Sequence, residues 1–437
     1  MTSESTKTYG SANGSISHAI GSQTIRPRHD ISTVVERLAQ LSILGRYPGG
    51  IDRGLATPEE RAAREHFASW ARANKYTLSQ DRVGNLFARR DGKRKDAAPI
   101  LAGSHLDTVK TGGAYDGAYG VVGAMCALEL LDARNITTEH PIEATAWAGE
   151  EGSRFPLGCL GSAVFAGLTP ADAALALADE AGTTLRDALA SEAGGLLRDV
   201  PQRANNTIAG YVELHVEQGP ILERAGVRLG IVTAIASQRR FRVTLDGGSG
   251  HAGTVPMAIR SDSLGGAAEI ILAIESTARA LDEAVVTVGR MTVEPGSTNV
   301  IPSRVTFSVD MRSPNDAHVD AIEQTLRDAI ARAKTIRGVR ASIEALEGRT
   351  ATPMTPHMRE AVRRAANSIG ARSMDVPSGA GHDTMCIAAI APVAMIFVPS
   401  IGGVSHVGVE KTSDTDLELG VETLAAALVE VDRDLGA

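Results

Sequence analysis

Four predicted strands in this chain lead into short polar motifs, and this repetition constrains the fold more than any other feature. Ala98–Gly103 runs into Gly103-Ser104-His105-Leu106-Asp107, and a glycine-rich loop then carries Tyr115-Asp116-Gly117. Ile142–Ala148 ends at Glu150-Glu151-Gly152, Tyr211–Leu214 delivers His215, and Val393–Val398 leads toward Ser405-His406. Between the first two strands, Ala118–Ala133 is apolar with small residues throughout and reads as a buried helix. Strand, helix, strand is the signature of a parallel sheet, whose ligands bind beyond the carboxyl ends of the strands. The pattern therefore predicts an α/β fold with a mixed, largely parallel sheet and one site where the motifs converge.

At 437 residues the chain exceeds what one core usually supports, so two domains are expected. From about Ala236 to Ala351 the rhythm becomes strand Phe241–Leu245, helix Ser261–Leu281, strands Val285–Val293 and Arg304–Met311, helix Ala317–Ala333, and strand Val339–Ala345. That β-α-β-β-α-β order predicts a ferredoxin-like α+β module, residues 236–351, inserted into a catalytic domain of residues 25–235 and 352–437. Residues 1–24, rich in Ser, Thr and Gly, read as a disordered tail, and the Ala-rich Pro170–Leu197 as a helical insertion. Aromatic residues make up only 3% of the chain, so small and aliphatic residues must fill the core.

A net charge of −8 without a basic cluster argues against nucleic acid or a membrane surface as partner, and no run of about 20 apolar residues offers a membrane span. Cys126, Cys159 and Cys386 are widely spaced and odd in number, which fits reduced thiols packed in the core of a cytoplasmic protein.

The motif residues suit metal chemistry. His105, Asp116, Glu151, His215 and His406 offer imidazole and carboxylate donors, a set matched to borderline divalent cations rather than to calcium or magnesium. Asp116 has two oxygens with which to bridge a pair of ions, and Asp107 can accept a proton from the far nitrogen of His105 and so fix the metal-binding tautomer. Adjacent acids at a strand end divide their work: Glu151 as ligand, Glu150 taking a proton from metal-bound water and returning it to a leaving nitrogen. Each motif alone admits a plainer role, such as a turn aspartate or a solvated acidic loop. Five of them at matching positions do not.

The strings GSHLDTV, GGAYDGAYGV, EEGSRF, ELHVEQGP, GHAGTVPM, PGSTNVIP, DMRSP, SGAGHD and the final SH together resemble the hydantoinase and carbamoylase branch of the aminoacylase-type di-metal amidohydrolases. The resemblance covers nearly everything from Ile31 to the C-terminus and implies an aminopeptidase-like catalytic domain. It implies one ion on His105, Asp116 and His215, a second on Asp116, Glu151 and His406, and Glu150 as general base. It places substrate contacts on Gln218, His251, Asn299, Arg312 and the Gly379-Ala380 backbone, with His251 also stabilising the oxyanion. It further implies that the inserted module is a lid that also forms a homodimer interface, and that His251 and Asn299 reach the partner subunit's site. Ala148-Gly149 stands where many members of the branch carry a polar pair such as Thr-Asn, and His382 and Asp383 are left without a role.

The expected activity is hydrolysis of a non-peptide C–N bond in a small carboxylate-bearing substrate, an N-carbamoyl-L-amino acid or allantoate, by metal-bound hydroxide. Two divalent ions per subunit are expected; zinc, manganese, cobalt and nickel all suit the ligands. The alternatives are an N-acyl-amino-acid amidohydrolase or dipeptidase on the same scaffold, or a non-catalytic metal-binding homologue.

Overall fold

A computed structural model describes residues 32–203 and 206–436. The expected tail, residues 1–24, lies outside the described residues.

A short hairpin, β1 (Arg46–Tyr47) and β2 (Gly50–Ile51), precedes the main sheet. That sheet takes β3 (Thr77–Gln80), β4 (Leu86–Arg90), β5 (Ile100–His105), β6 (Ile142–Trp147), β7 (Gly210–Val216) and β8 (Leu229–Ile235). The chain then builds a second sheet from β9 (Ser237–Asp246), β10 (Val285–Thr287), β11 (Met291–Glu294), β12 (Arg304–Ser313) and β13 (Arg340–Arg349). It returns to the first with β14 (Thr352–Pro353), β15 (Ser373–Ser378) and β16 (Val393–Val398).

In the main sheet the order is β14-β8-β16-β7-β5-β6-β4-β3, with β15 parallel to β8. Its centre, β16-β7-β5-β6, is parallel, and antiparallel strands flank it. Every residue of these four central strands is buried, as expected where helices cover both faces. Helix Ala118–Ala133 lies against β5, β6 and β7, and helix Asp414–Gly436 packs on it. The principal core is almost entirely Ala, Val, Leu and Ile, in keeping with the scarcity of aromatics. Because the central strands run the same way, the residues that follow β5, β6, β7 and β16 all emerge at one edge.

The second sheet has the order β10-β12-β9-β13, with β11 also paired to β12, and is antiparallel. Helices Ser263–Arg279 and Asp316–Arg337 cover one face and enclose a separate core of Phe241, Val243, Leu245, Ile270, Phe307, Val309 and Ile322. Asp262 and Asn315 cap the two helices by accepting backbone N–H groups of Leu264 and Ala317. Burial alternates along β12, so its other face, with Ser308, Asp310 and Arg312, is left open.

Two sequence expectations need correction. The single strand Val285–Val293 is interrupted at residues 288–290, where its register against β12 shifts by one residue between the Thr287–Asp310 and Met291–Phe307 pairs and Arg290 donates its N–H to the Ser308 hydroxyl. Pro170–Leu197 forms only two short helices, Ala171–Leu175 and Leu185–Ala190; between them Asp179 accepts the N–H groups of Ala181 and Thr183 and turns the chain. Alanine content signalled helix there, and an Asx turn overrode it.

Candidate metal centre

His105 ends β5, His215 is the sixth residue of β7, and Asp116 sits in the loop that opens helix Ala118–Ala133. Their ligand atoms lie within 4.8 Å of one another, and so do those of Asp116, Glu151 and His406. Asp116 joins the two groups. Its Oδ1 faces His215 Nε2 at 3.2 Å and His105 Nε2 at 3.7 Å, and its Oδ2 faces His406 Nε2 at 3.2 Å. A carboxylate with each oxygen turned toward a different imidazole set has the geometry of a bridge. The donors are three imidazole nitrogens with carboxylates, which fits a pair of borderline divalent cations.

The ring orientations are fixed from behind. His105 Nδ1 faces the Asp107 carbonyl oxygen at 3.0 Å and His215 Nδ1 the Val216 carbonyl oxygen at 2.8 Å, which leaves Nε2 of each to the centre. This revises the role expected for Asp107. Its carboxylate stands 3.6 Å from His105 Nδ1, beyond hydrogen-bond range, and accepts the backbone N–H groups of Glu150 at 3.1 Å and Glu151 at 3.2 Å. Asp107 thus holds the turn that presents both glutamates.

Glu150 Oε2 lies 3.7 Å from His105 Nε2, and Glu150 Oε1 is met by the Cys159 thiol at 3.5 Å. Cys159 is buried, as expected, and also borders the site. Burial pushes the Glu150 carboxyl well above its ordinary pKa; His105 opposes this and Glu151 adds to it. Burial and the neighbouring Asp116 raise Glu151 to about 7. Burial also works against charge on Asp116, but hydrogen bonds with His215 and His406 hold it well below the usual carboxylate range. The pull of Asp116 lifts His406 to about 9.

Tight backbone positions shape the cluster. Gly117 has φ +64°, and a Cβ there would stand 2.3 Å from the His105 ring. Gly149, in the Ala148-Gly149 pair, has φ +71°, and a Cβ there would require the end of the Leu55 side chain at 2.7 Å to shift, so glycine relieves the turn of strain. Glu410, to which the sequence assigned no role, accepts the N–H groups of Tyr115 and Asp116 at 3.0 Å each and the Ser405 hydroxyl at 2.7 Å. It ties the loop of Asp116 to the loop of His406. Glu213 accepts the hydroxyls of Ser104 and Thr384. His382 packs edge-on against His215 and bonds Ser378, and burial holds it neutral, well below the ordinary imidazole pKa. Asp383 accepts the Ser162 hydroxyl. These last residues buttress the centre from below.

A cavity of about 880 Å³ opens beside His406 between the two sheets. Its walls include Gln218, Arg312, Gly379 and Ala380, all expected substrate contacts, with Arg240, Asp310, Val285 and Leu346. Gln218 Nε2 donates to Asp116 Oδ2 at 2.8 Å. Arg312 grips both oxygens of Asp310 and donates Nη1 to the Gly379 carbonyl at 2.8 Å. His251 and Asn299 are not brought to this cavity. Both are exposed, on neighbouring loops joined by the Ala252 N–H and the Asn299 carbonyl at 2.9 Å.

The model of peptidase family M20/M25/M40 matches residues 101–430. An N-carbamoyl-L-amino acid amidohydrolase of Geobacillus stearothermophilus is 39% identical over 89% of this chain and 95% of its own length. An allantoate amidohydrolase of Bacillus subtilis is 38% identical over 93% of this chain and 98% of its own. Among solved structures, a hydantoinase/carbamoylase family amidase from Burkholderia multivorans superposes with a TM-score of 0.88 at 37% identity, over 92% of this chain and 98% of that one.

Proposed function

The chain belongs to peptidase family M20/M25/M40, and from that premise we propose that it is a metal-dependent amidohydrolase cleaving a non-peptide C–N bond in a small ureido acid, an N-carbamoyl-L-amino acid or allantoate. The observation that carries the proposal is Asp116 joining two ligand groups, with Glu150 presented beside them by Asp107. His105, Asp116 and His215 would hold one divalent ion and Asp116, Glu151 and His406 the other. When bound, such ions polarise the scissile carbonyl and make water more acidic; zinc, manganese, cobalt or nickel would serve.

The chain's own groups do the rest. Glu150, presented beside the ligand groups, takes a proton from the attacking water and passes it to the leaving nitrogen. An N-carbamoyl substrate then yields the amino acid and carbamic acid, which separates into ammonia and carbon dioxide. Arg312 offers the substrate carboxylate a charged donor from the second sheet, while the Gly379-Ala380 backbone lines the same wall. The module of residues 236–351 acts as a lid over the cavity and excludes water when it closes. His251 completes the oxyanion site from a partner subunit in a homodimer. Among the described residues no helix is long and apolar enough to cross a membrane, and the free cysteines support a cytoplasmic location.

The test follows metal-loaded enzyme on a panel of N-carbamoyl-L-amino acids and allantoate, read by ammonia release, beside N-acetyl amino acids and dipeptides, read by release of the free amino acid. Turnover of the ureido compounds alone is expected. Cleavage of only acyl or peptide substrates would sink the ureido reading and move the enzyme to the amidohydrolase or dipeptidase alternative.

A further inference from the structure

The open face of the second sheet carries more positive charge than its acids balance. In register across three strands, Arg349 of β13 and Arg312 of β12 stand on either side of Gln238 of β9. Arg240 and Asp310 form the next row. Directly paired residues, and residues two apart on one strand, share a face, so all five project to the same side. Asp310 is fully engaged: it accepts Nε and Nη2 of Arg312, Nε of Arg240 and Nε2 of Gln238.

Arg349 is left over. Its Nε reaches only the Ala236 carbonyl at 3.3 Å, and its Nη2 is buried with no hydrogen-bond partner. No carboxylate among the described residues lies within ion-pair distance of it, whereas Arg312 and Arg240 each have Asp310. Burial weakens its hold on its proton, and the Arg312 charge acts the same way. Charge on Cys159 and Glu150 offsets this only in part, and neither makes an ion pair with it; an ionised group withdrawn from water with no carboxylate in contact is costly, and proteins keep such groups chiefly where a ligand completes them.

The location identifies the ligand. Nη1 of Arg349 lies 3.2 Å from the point where a Cβ on Gly381 would sit, while Nη1 of Arg312 binds the Gly379 carbonyl. The two guanidiniums thus bracket residues 379–381, of which Gly379 and Ala380 line the substrate cavity. A guanidinium fork matches a carboxylate in shape and charge, and glycine at 381 leaves it room.

We propose that Arg349 is a substrate-binding residue that pairs with a carboxylate of the substrate, alongside Arg312. The inference rests on the ureido-acid reading only for which molecule brings that carboxylate. Two sources share the chemistry: the α-carboxylate, or a second carboxylate on an acidic side chain.

The experiment uses the full-length, metal-loaded protein with Arg349→Gln and Arg349→Lys variants. Calorimetry follows binding of L-alanine, L-aspartate and L-alaninamide, and turnover follows their N-carbamoyl derivatives. Arg349→Gln is expected to weaken binding of a carboxylate ligand by about tenfold or more, leave the amide unchanged, and raise KM in parallel. Arg349→Lys, which keeps charge and volume, recovers part of the loss. A loss shared by L-alanine and L-aspartate assigns the α-carboxylate, and one confined to L-aspartate assigns the side-chain carboxylate. Unchanged binding of both acids in Arg349→Gln, or equal weakening of acids and amide, overturns the proposal. Because binding is read without turnover, acids held through Arg349 by a protein that hydrolyses no ureido compound would refute the activity alone.

Discussion

Adjacent residues in this site have opposite duties, and the contacts explain why. Glu151 turns toward His406, at 3.8 Å, while Glu150 turns toward His105 and the Cys159 thiol. Replacing Glu150 by Gln keeps the shape and removes the proton carrier, so kcat should fall by about 10²–10⁴ with the metal content and melting temperature close to wild type. Parallel rate assays and metal analysis check this; a variant that keeps full activity would refute Glu150 as the base. The residue types at these positions were legible in the sequence because donors at strand ends are scarce and specific. The support beneath them was not. Asp107 reads as the partner of a histidine two residues away, yet its oxygens turn to N–H groups more than forty residues along the chain. Glu410 and Arg349 carry no local signal, since what distinguishes them is what they touch, or fail to touch, across the fold.

The loop after β16 shows how an element fixes a ligand that no regular structure holds. His406 adopts φ +60° and its side chain is 52% exposed, unlike the buried His105 and His215. Two contacts restrain it: Glu410, which ties Ser405 to the Asp116 loop, and Gly408, pressed against the turn between β1 and β2. A Cβ at Gly408 would lie 2.7 Å from Gly50 Cα and 2.9 Å from the Gly49 carbonyl oxygen, so the backbone has nowhere to yield locally. Gly408→Val should push the loop outward and displace His406 while leaving the His105, Asp116 and His215 group intact. Metal analysis of the purified variant should then find about one ion per chain where wild type holds two. Two ions retained at wild-type affinity would show that the Gly50 contact does not position His406. At this scale the central strands were plain in the sequence, because short, largely apolar segments, unbroken in β16 and interrupted only by Glu143 and Thr145 in β6 and by Glu213 and His215 in β7, belong to strands covered on both faces. The break between β10 and β11 was not, for it is a one-residue shift of register against the neighbouring strand β12.

Across the whole molecule, one chain presents an incomplete set of the expected contacts. Gln218, Arg312, Gly379 and Ala380 line the cavity beside His406, but His251 and Asn299 are exposed on loops of the second unit and contribute nothing to its walls. Their mutual backbone bond, and the bridge between His251 and Val300, hold them as a formed patch rather than as scattered surface groups. If that patch completes the site of a second copy, a two-fold pair would give each site its Glu150 from one chain and its His251 from the other. Glu150→Gln and His251→Ala enzymes would each be nearly inactive alone. In a hybrid dimer of the two, one site would carry both defects and the other neither. Random reassociation makes half of all dimers hybrid, so a mixture of the two variants should recover about a quarter of wild-type activity after subunit exchange. The assay is a rate measurement before and after mild dissociation and remixing, with size-exclusion light scattering to confirm the dimer. A monomer in solution, or a mixture no more active than its parts, would place His251 outside the reaction and leave oxyanion stabilisation to groups of the same chain.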